Sequence, residues 1–264
     1  MCGWRNTYKL FGTFGLIVGL LGFLIIKEPK RNSFKDKSPP KEEFEAISGE
    51  NKIVSSFREI LTNPVLRFSG LATACRTFAN YAFDFYLPTF FMQTYPSFTN
   101  EFSILMSFIV VSCGVLSSLI GGFLADKYSK HNHLAYSWIC VGGSLLAWPF
   151  FTMAFLMPGG NFWAAMACIS MRYLLGECFW SPNVAMIQNS VPQNKFSTIF
   201  GAINFFVLIA GCASTFVFGQ IVNYLGCAQS PVVIGKLLAA FGGIGYVGSA
   251  VSWWKAGRAY KRMR

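Results

Sequence analysis

Arg76, Asn80 and Asp84 fall at i, i+4 and i+8 inside an apolar stretch. On a helix this spacing sets them along one stripe about 12 Å long. Arg172 and Glu177 stand in a second such stretch, MRYLLGECFWSPNVAMIQNSVP over Met171–Pro192, with Pro182 and Asn183 in mid-span. A charge deep in hydrocarbon costs roughly 2.5–3.5 kcal/mol on insertion scales, so residues of this kind face a bundle interior or an aqueous cavity. Two kinds of chemistry suit them: an arginine pairs with an anionic group, and a carboxylate takes up and releases a proton. The structural alternative is a polar network that only fixes helix packing. Arg76 and Asp84 are too far apart to touch, so each is expected to meet Asn80, water, another helix or a solute. Arg172 and Asn183, eleven residues apart, share a face with Phe179, whereas Glu177 projects about 140° around from Arg172. Two polar faces suit a helix inside a bundle. Pro182 frees a carbonyl near Cys178 and is expected to kink the helix. Asn204, in a later apolar stretch, is a further cavity candidate.

Metal and enzymatic chemistry have little to stand on. His131 and His133 are the only histidines, lie in a short basic loop, and have no carboxylate–cysteine cluster nearby; they read as solvated residues. The eight cysteines sit mostly in apolar runs without a C-x-x-C pair and read as small buried hydrophobes. No cofactor, metal or enzymatic activity is expected.

The elements that must position the charged residues are membrane spans. The chain is 53% hydrophobic and 12% charged, with 28 Phe and 25 Gly, which is not the composition of a soluble domain. About 20 apolar residues cross a bilayer core, and seven stretches qualify: 9–26, 66–92, 102–125, 134–157, 162–190, 197–222 and 232–254. The fold class is therefore an all-α, polytopic helical bundle. The first stretch carries a G-x-x-x-G step at Gly15 and Gly19, which permits close helix contact. It has no small-residue cleavage site of the kind that ends a signal peptide. The expected organisation is a single transmembrane helix over 1–27, a cytoplasmic linker over 28–65, a six-helix bundle over 66–254 and a basic tail over 255–264. Within the linker, Ile53, Phe57, Ile60 and Leu61 share a helical face. This predicts a short amphipathic helix on the membrane surface, ended by Asn63-Pro64.

The net charge of +11 is explained by topology. Seventeen of the 22 Lys and Arg fall in loops 27–67, 126–133 and 191–196 and in the tail, while loops 93–101, 158–161 and 223–231 hold none. The positive-inside rule puts the long loop and the C-terminus in the cytoplasm and the N-terminus outside. Nucleic acid is not needed as a partner.

On the cytoplasmic side, Gly122, Asp126, Lys127 and Lys130 bridge the third and fourth stretches. Small residues let the helix end approach a neighbour, Asp126 can accept from the N–H groups of another helix N-terminus, and the lysines suit lipid headgroups. This segment resembles the loop signature of the major facilitator superfamily, G-x-x-x-D-[R/K]-x-x-[R/K], between helices 8 and 9 of that twelve-helix fold; Ser129 stands where glycine is common. Arg172-Tyr-Leu-Leu-Gly176 followed by Pro182 and Pro192 is similar to the family's R-x-x-x-G…P pattern of helices 4 and 10. Gly3-Trp4-Arg5, the exit Ile25-Ile26-Lys27-Glu28-Pro29 and Gly176-Glu177 look like spinster-type members.

The resemblance covers the whole chain as helices 6 to 12, and helix direction agrees with the charge argument. It implies a secondary transporter for a small organic or amphipathic solute, acting by alternating access in a lipid bilayer. Arg76, Asn80, Asp84, Arg172, Glu177, Asn183 and Asn204 would line or gate its cavity, and Asp84 or Glu177 would carry a coupling proton. Helices 1–5 of the pattern are absent, so a fragment lacking its N-terminal half is expected; a non-transporting regulatory half-protein is the other reading. A seven-helix receptor has the same span count and orientation, but the last stretch lacks an N-P-x-x-Y-like break and the first cytoplasmic loop is too long.

Overall fold

In the computed structural model the described residues, 3–25, 52–157, 161–226 and 230–263, are almost all helical, and no strand occurs among them. Most of the predicted linker, together with Cys2 and Cys227, lies outside the described residues.

The chain divides into two compact units, Met1–Gly49 and Glu50–Arg264. The first contains α1 (Trp4–Ile25), whose 22 residues rise about 33 Å, enough to cross a bilayer core. The second contains α2 (Lys52–Thr62), α3 (Pro64–Thr94), α4 (Thr99–Ser129), α5 (Ala135–Leu156), α6 (Phe162–Gly176), α7 (Trp180–Gln188), α8 (Gln193–Tyr224) and α9 (Pro231–Met263). A 3₁₀ turn at Pro96–Phe98 leads into α4, and another at Glu177–Phe179 separates α6 from α7.

Helix α3 starts where its sequence demands. The Asn63 side chain accepts from the Val65 N–H at 3.0 Å, and Pro64 occupies the first turn, where a missing N–H costs nothing. Helix α9 packs against α3 and α5, and its small residues set the approach. A Cβ at Gly245 would fall 2.7 Å from the Cys75 carbonyl of α3, so only glycine lets the backbones come this close. Facing α5, the Ser137 hydroxyl donates to the Trp253 carbonyl at 2.6 Å. A buried aromatic cluster, with Phe83, Phe90, Phe151 and Phe155 at centroid separations of 5.0–5.8 Å, ties α3 to α5. Such pairs contribute about 0.5–1.5 kcal/mol each beyond burial. Among the described residues, α1, the Pro96–Ser129 segment, α5, Lys195–Tyr224 and α9 are long and apolar enough to cross a membrane. The two predicted spans outside that set are α3 and the α6–α7 pair. They are the ones that carry Arg76 and Asp84, and Arg172 and Glu177.

Three expectations change. The amphipathic helix α2 is not free on a lipid surface: Ile60 is buried, Phe57 meets Phe206 of α8 edge-on at 5.2 Å, and Glu59 pairs with Lys195 at 3.4 Å. Its apolar stripe serves protein packing. The basic tail over 255–264 is not a separate extension, because α9 continues through Met263. Tyr260 stays buried and packs against Tyr136, with ring centroids 6.1 Å apart. The predicted span over 162–190 is two helices rather than one kinked helix. The break lies at Glu177–Phe179, and Pro182 sits in the first turn of α7, where it starts a helix instead of bending one.

Candidate functional site

The broken helix organises the polar residues. At the 3₁₀ turn the Trp180 N–H donates to the Glu177 carbonyl, three residues back rather than four, so the Gly176 carbonyl loses its helical donor. Arg76 replaces it: Nη2 donates to the Gly176 oxygen at 2.7 Å. Cys178 Sγ donates to the Leu175 carbonyl at 3.0 Å, and Cys140 Sγ approaches the Phe179 carbonyl at 3.7 Å. A buried carbonyl without a donor costs about 1–3 kcal/mol, so these side chains make the break tolerable inside a bundle. Neighbouring helices leave room for it with glycine. A Cβ at Gly121 of α4 would run into the Cys178 carbonyl, one at Gly122 would lie 2.9 Å from Ser181 Oγ, and one at Gly143 of α5 would lie 2.9 Å from the Leu175 carbonyl.

Arg76 is fully buried, its guanidinium 3.7 Å from the Tyr246 ring centroid, and no carboxylate lies within ion-pair distance of it among the described residues. It was expected to line a cavity; it lies behind the wall because its reach goes to the helix break. Asn183 was also expected at the cavity. It is buried instead in a packing network, donating to Thr73 Oγ1 at 3.0 Å and accepting from Trp253 Nε1 at 2.9 Å. An amide in the core needs both kinds of partner, and Thr73 and Trp253 provide them.

The other predicted residues converge. Arg172 Nη2 donates to Asn80 Oδ1 at 2.6 Å and Nε donates to the Tyr246 hydroxyl at 2.9 Å. Glu177 Oε1 stands 3.7 Å from Arg172 Nη2, accepts from Asn80 Nδ2 at 3.5 Å, and its Oε2 accepts from Trp180 Nε1 at 3.1 Å. The 140° expected between Arg172 and Glu177 assumed an unbroken helix; the tightened turn and the long arginine side chain bring them together. Asp84 Oδ1 accepts from the Tyr173 hydroxyl at 3.1 Å. Asn80, Asp84, Arg172, Glu177 and Asn204 all border one open cavity of about 470 Å³. Asn204 does so while its Nδ2 donates to the Phe200 carbonyl of its own helix at 3.0 Å.

Sequence reasoning missed Tyr173, Tyr246, Thr73 and Trp253. The usable signal was the polar tip of a tyrosine or tryptophan in mid-span, which requires a partner when buried. The Gly122, Asp126, Lys127 and Lys130 motif lies in the last turns of α4 and at its end. Asp126 is exposed and makes no hydrogen bond or ion pair among the described residues, so the helix N-terminus expected as its partner is not there. Gly122 does approach a neighbouring helix, as its contact with Ser181 shows. Among the described residues no group of three or more His, Cys, Asp and Glu could hold a metal.

Known proteins share this arrangement of helices. The chain is 23% identical over 263 residues to an MFS-type efflux pump of Mycolicibacterium smegmatis, covering 98% of this chain and 58% of that protein. It is 25% identical over 259 residues to a hexuronate transporter of Bacillus subtilis, covering 92% and 57%. The chain thus spans somewhat under three-fifths of the length of these curated relatives. Its fold is that of a bacterial homolog of the human lysosomal transporter Spinster in an inward-facing, unoccupied conformation, with TM-score 0.64 and 18% identity over 99% of this chain and 60% of that one. The occupied conformation of the homolog gives TM-score 0.57 and 17% identity. The sequence model of the Major Facilitator Superfamily matches residues 1–215, a region that takes in both charged stretches and the helix break. This multi-pass membrane chain belongs to the major facilitator superfamily, a family of transporters rather than enzymes.

Proposed function

We propose that the chain supplies one wall of a secondary transporter that moves a small organic or amphipathic solute across a membrane by alternating access. The observation that carries this is the charged cluster of Arg172, Glu177, Asn80 and Asp84 at an open cavity in apolar helices, beside a helix broken at Glu177–Phe179. Broken helices and charges at membrane depth mark solute and ion paths. Asp84 and Glu177 are the groups that would take the coupling proton. The wall faces a further set of helices, supplied by the rest of a longer protein or by a partner. Residues 1–27 form one span, 28–65 a connector and 66–254 the six-span half, with 255–264 basic at its end. The N-terminus lies outside and the C-terminus in the cytoplasm, in keeping with the placement of the lysines and arginines.

The test is uptake into vesicles from cells expressing the full reading frame that contains this chain, with labelled glucuronate, a lysophosphatidylcholine and ethidium as a panel. We expect at least one to accumulate, driven by a proton gradient, and Glu177→Gln to remove that drive. Accumulation no greater than in vesicles lacking the protein, for all three, would overturn the proposal.

A further inference from the structure

The charged groups at the cavity differ in which of them a solute can touch. Arg172 borders the cavity but presents little of itself to it: its side chain is 1% exposed, Nε and Nη2 are engaged by Tyr246 and Asn80, and the rings of Phe83 and Tyr173 lie 4.4 and 4.2 Å from its guanidinium carbon. Its Nη1 is buried and has no hydrogen-bond partner among the described residues. Arg76 is buried behind the wall. The carboxylates are the groups that open outward. Asp84 is exposed, Tyr173 holds one of its oxygens, and the other has no partner among the described residues. The Glu177 side chain is 15% exposed. No lysine or histidine borders the cavity among the described residues. Tyr81 and Trp180 expose aromatic rings there, and Val110 and Leu208 expose aliphatic surface.

We infer that this cavity selects an organic cation, an ammonium- or phosphonium-type centre carried on an apolar body. This rests on the reading of the cavity as a solute site and departs from the expectation that an arginine would pair there with an anion. A cation entering the cavity meets the free oxygen of Asp84 and aromatic faces that attract positive charge. Its apolar body lies against Val110 and Leu208. An anion of the same shape meets two carboxylates, while the nearest guanidinium is already committed to protein partners. In a low-dielectric site the difference between these cases is large. Asp84 is the specificity-determining residue, and Arg172 serves to hold Asn80 and Glu177 in place.

The experiment is equilibrium binding of radiolabelled tetraphenylphosphonium and of tetraphenylborate, two ions of the same shape and opposite charge. The protein is the full reading frame containing this chain, in lipid nanodiscs, with empty discs subtracted. We expect saturable tetraphenylphosphonium binding that weakens at least tenfold in Asp84→Asn and survives within threefold in Asp84→Glu, and no saturable tetraphenylborate binding. Thermal melting of each variant checks that it is folded. Saturable tetraphenylborate binding, or tetraphenylphosphonium affinity unchanged in a folded Asp84→Asn protein, would overturn the cationic class. So would absence of saturable tetraphenylphosphonium binding. If the same preparation then accumulated glucuronate or lysolipid in vesicles, the solute-site reading would stand while the charge assignment fell.

Discussion

Among the described residues two arginines are buried, and they do different work. Arg76 on α3 donates to the Gly176 carbonyl and stacks on Tyr246, with no carboxylate beside it among the described residues. Arg172 on α6 binds Asn80 and Tyr246 and stands 3.7 Å from Glu177. The first latches a broken helix; the second holds the polar cluster at the cavity. Tyr246 links them, since its ring faces Arg76 and its hydroxyl accepts from Arg172. A charge at membrane depth is thus not by itself a solute contact, because a guanidinium can be used up by backbone carbonyls and aromatic faces. What decides its role is whether any group of the cluster still reaches open space.

The largest effect is expected at Arg172. Arg172→Met leaves Glu177 without its cation and Asn80 without a donor, and breaking a buried pair in this way costs about 3–5 kcal/mol. Thermal unfolding in detergent would measure it, and a cost below that of Arg76→Met would reverse the comparison between the two arginines. Arg76→Met strands the Gly176 carbonyl for about 2 kcal/mol, with partial recovery in Arg76→Lys and tetraphenylphosphonium affinity within twofold of wild type. A melting temperature at or above that of wild type would show the latch to be dispensable. The smallest effect belongs to Tyr246→Phe, which keeps the ring on Arg76 and deletes only the acceptor for Arg172, for about 1.5 kcal/mol. If Tyr246→Phe and Arg76→Met proved strictly additive in a double-mutant cycle, the ring and hydroxyl contacts of Tyr246 would be independent; coupling of the two is expected because they share one side chain.

Much of this was legible in the residues. The seven apolar stretches, the polar stripe on α3, the glycines before Asp126 and the family resemblance follow from hydropathy, period and motif, which are properties of local sequence. Asn80, Asp84, Arg172, Glu177 and Asn204 were identified as cavity candidates and lie at one cavity. Arg76 and Asn183 carried the same signal and lie elsewhere, because spacing places a residue on a face without saying what that face meets. Tyr246 was missed for the complementary reason: its hydroxyl matters only through a contact 74 residues away in sequence.

By itself, then, the sequence determined that this chain is a helical membrane bundle and which of its helices carry charge. The burden of unpaired charge and backbone in hydrocarbon forces those features into composition and spacing. Only the tertiary structure decided that the break falls at Glu177–Phe179, that Gly121 and Gly143 make room for it, and that Arg76 fills the place of the missing helical donor. It likewise decided that, of the charged groups bordering the cavity, Asp84 and Glu177 are more exposed than Arg172. These outcomes depend on helices far apart in the chain approaching within a few ångströms, and no local pattern of residue types encodes such distances.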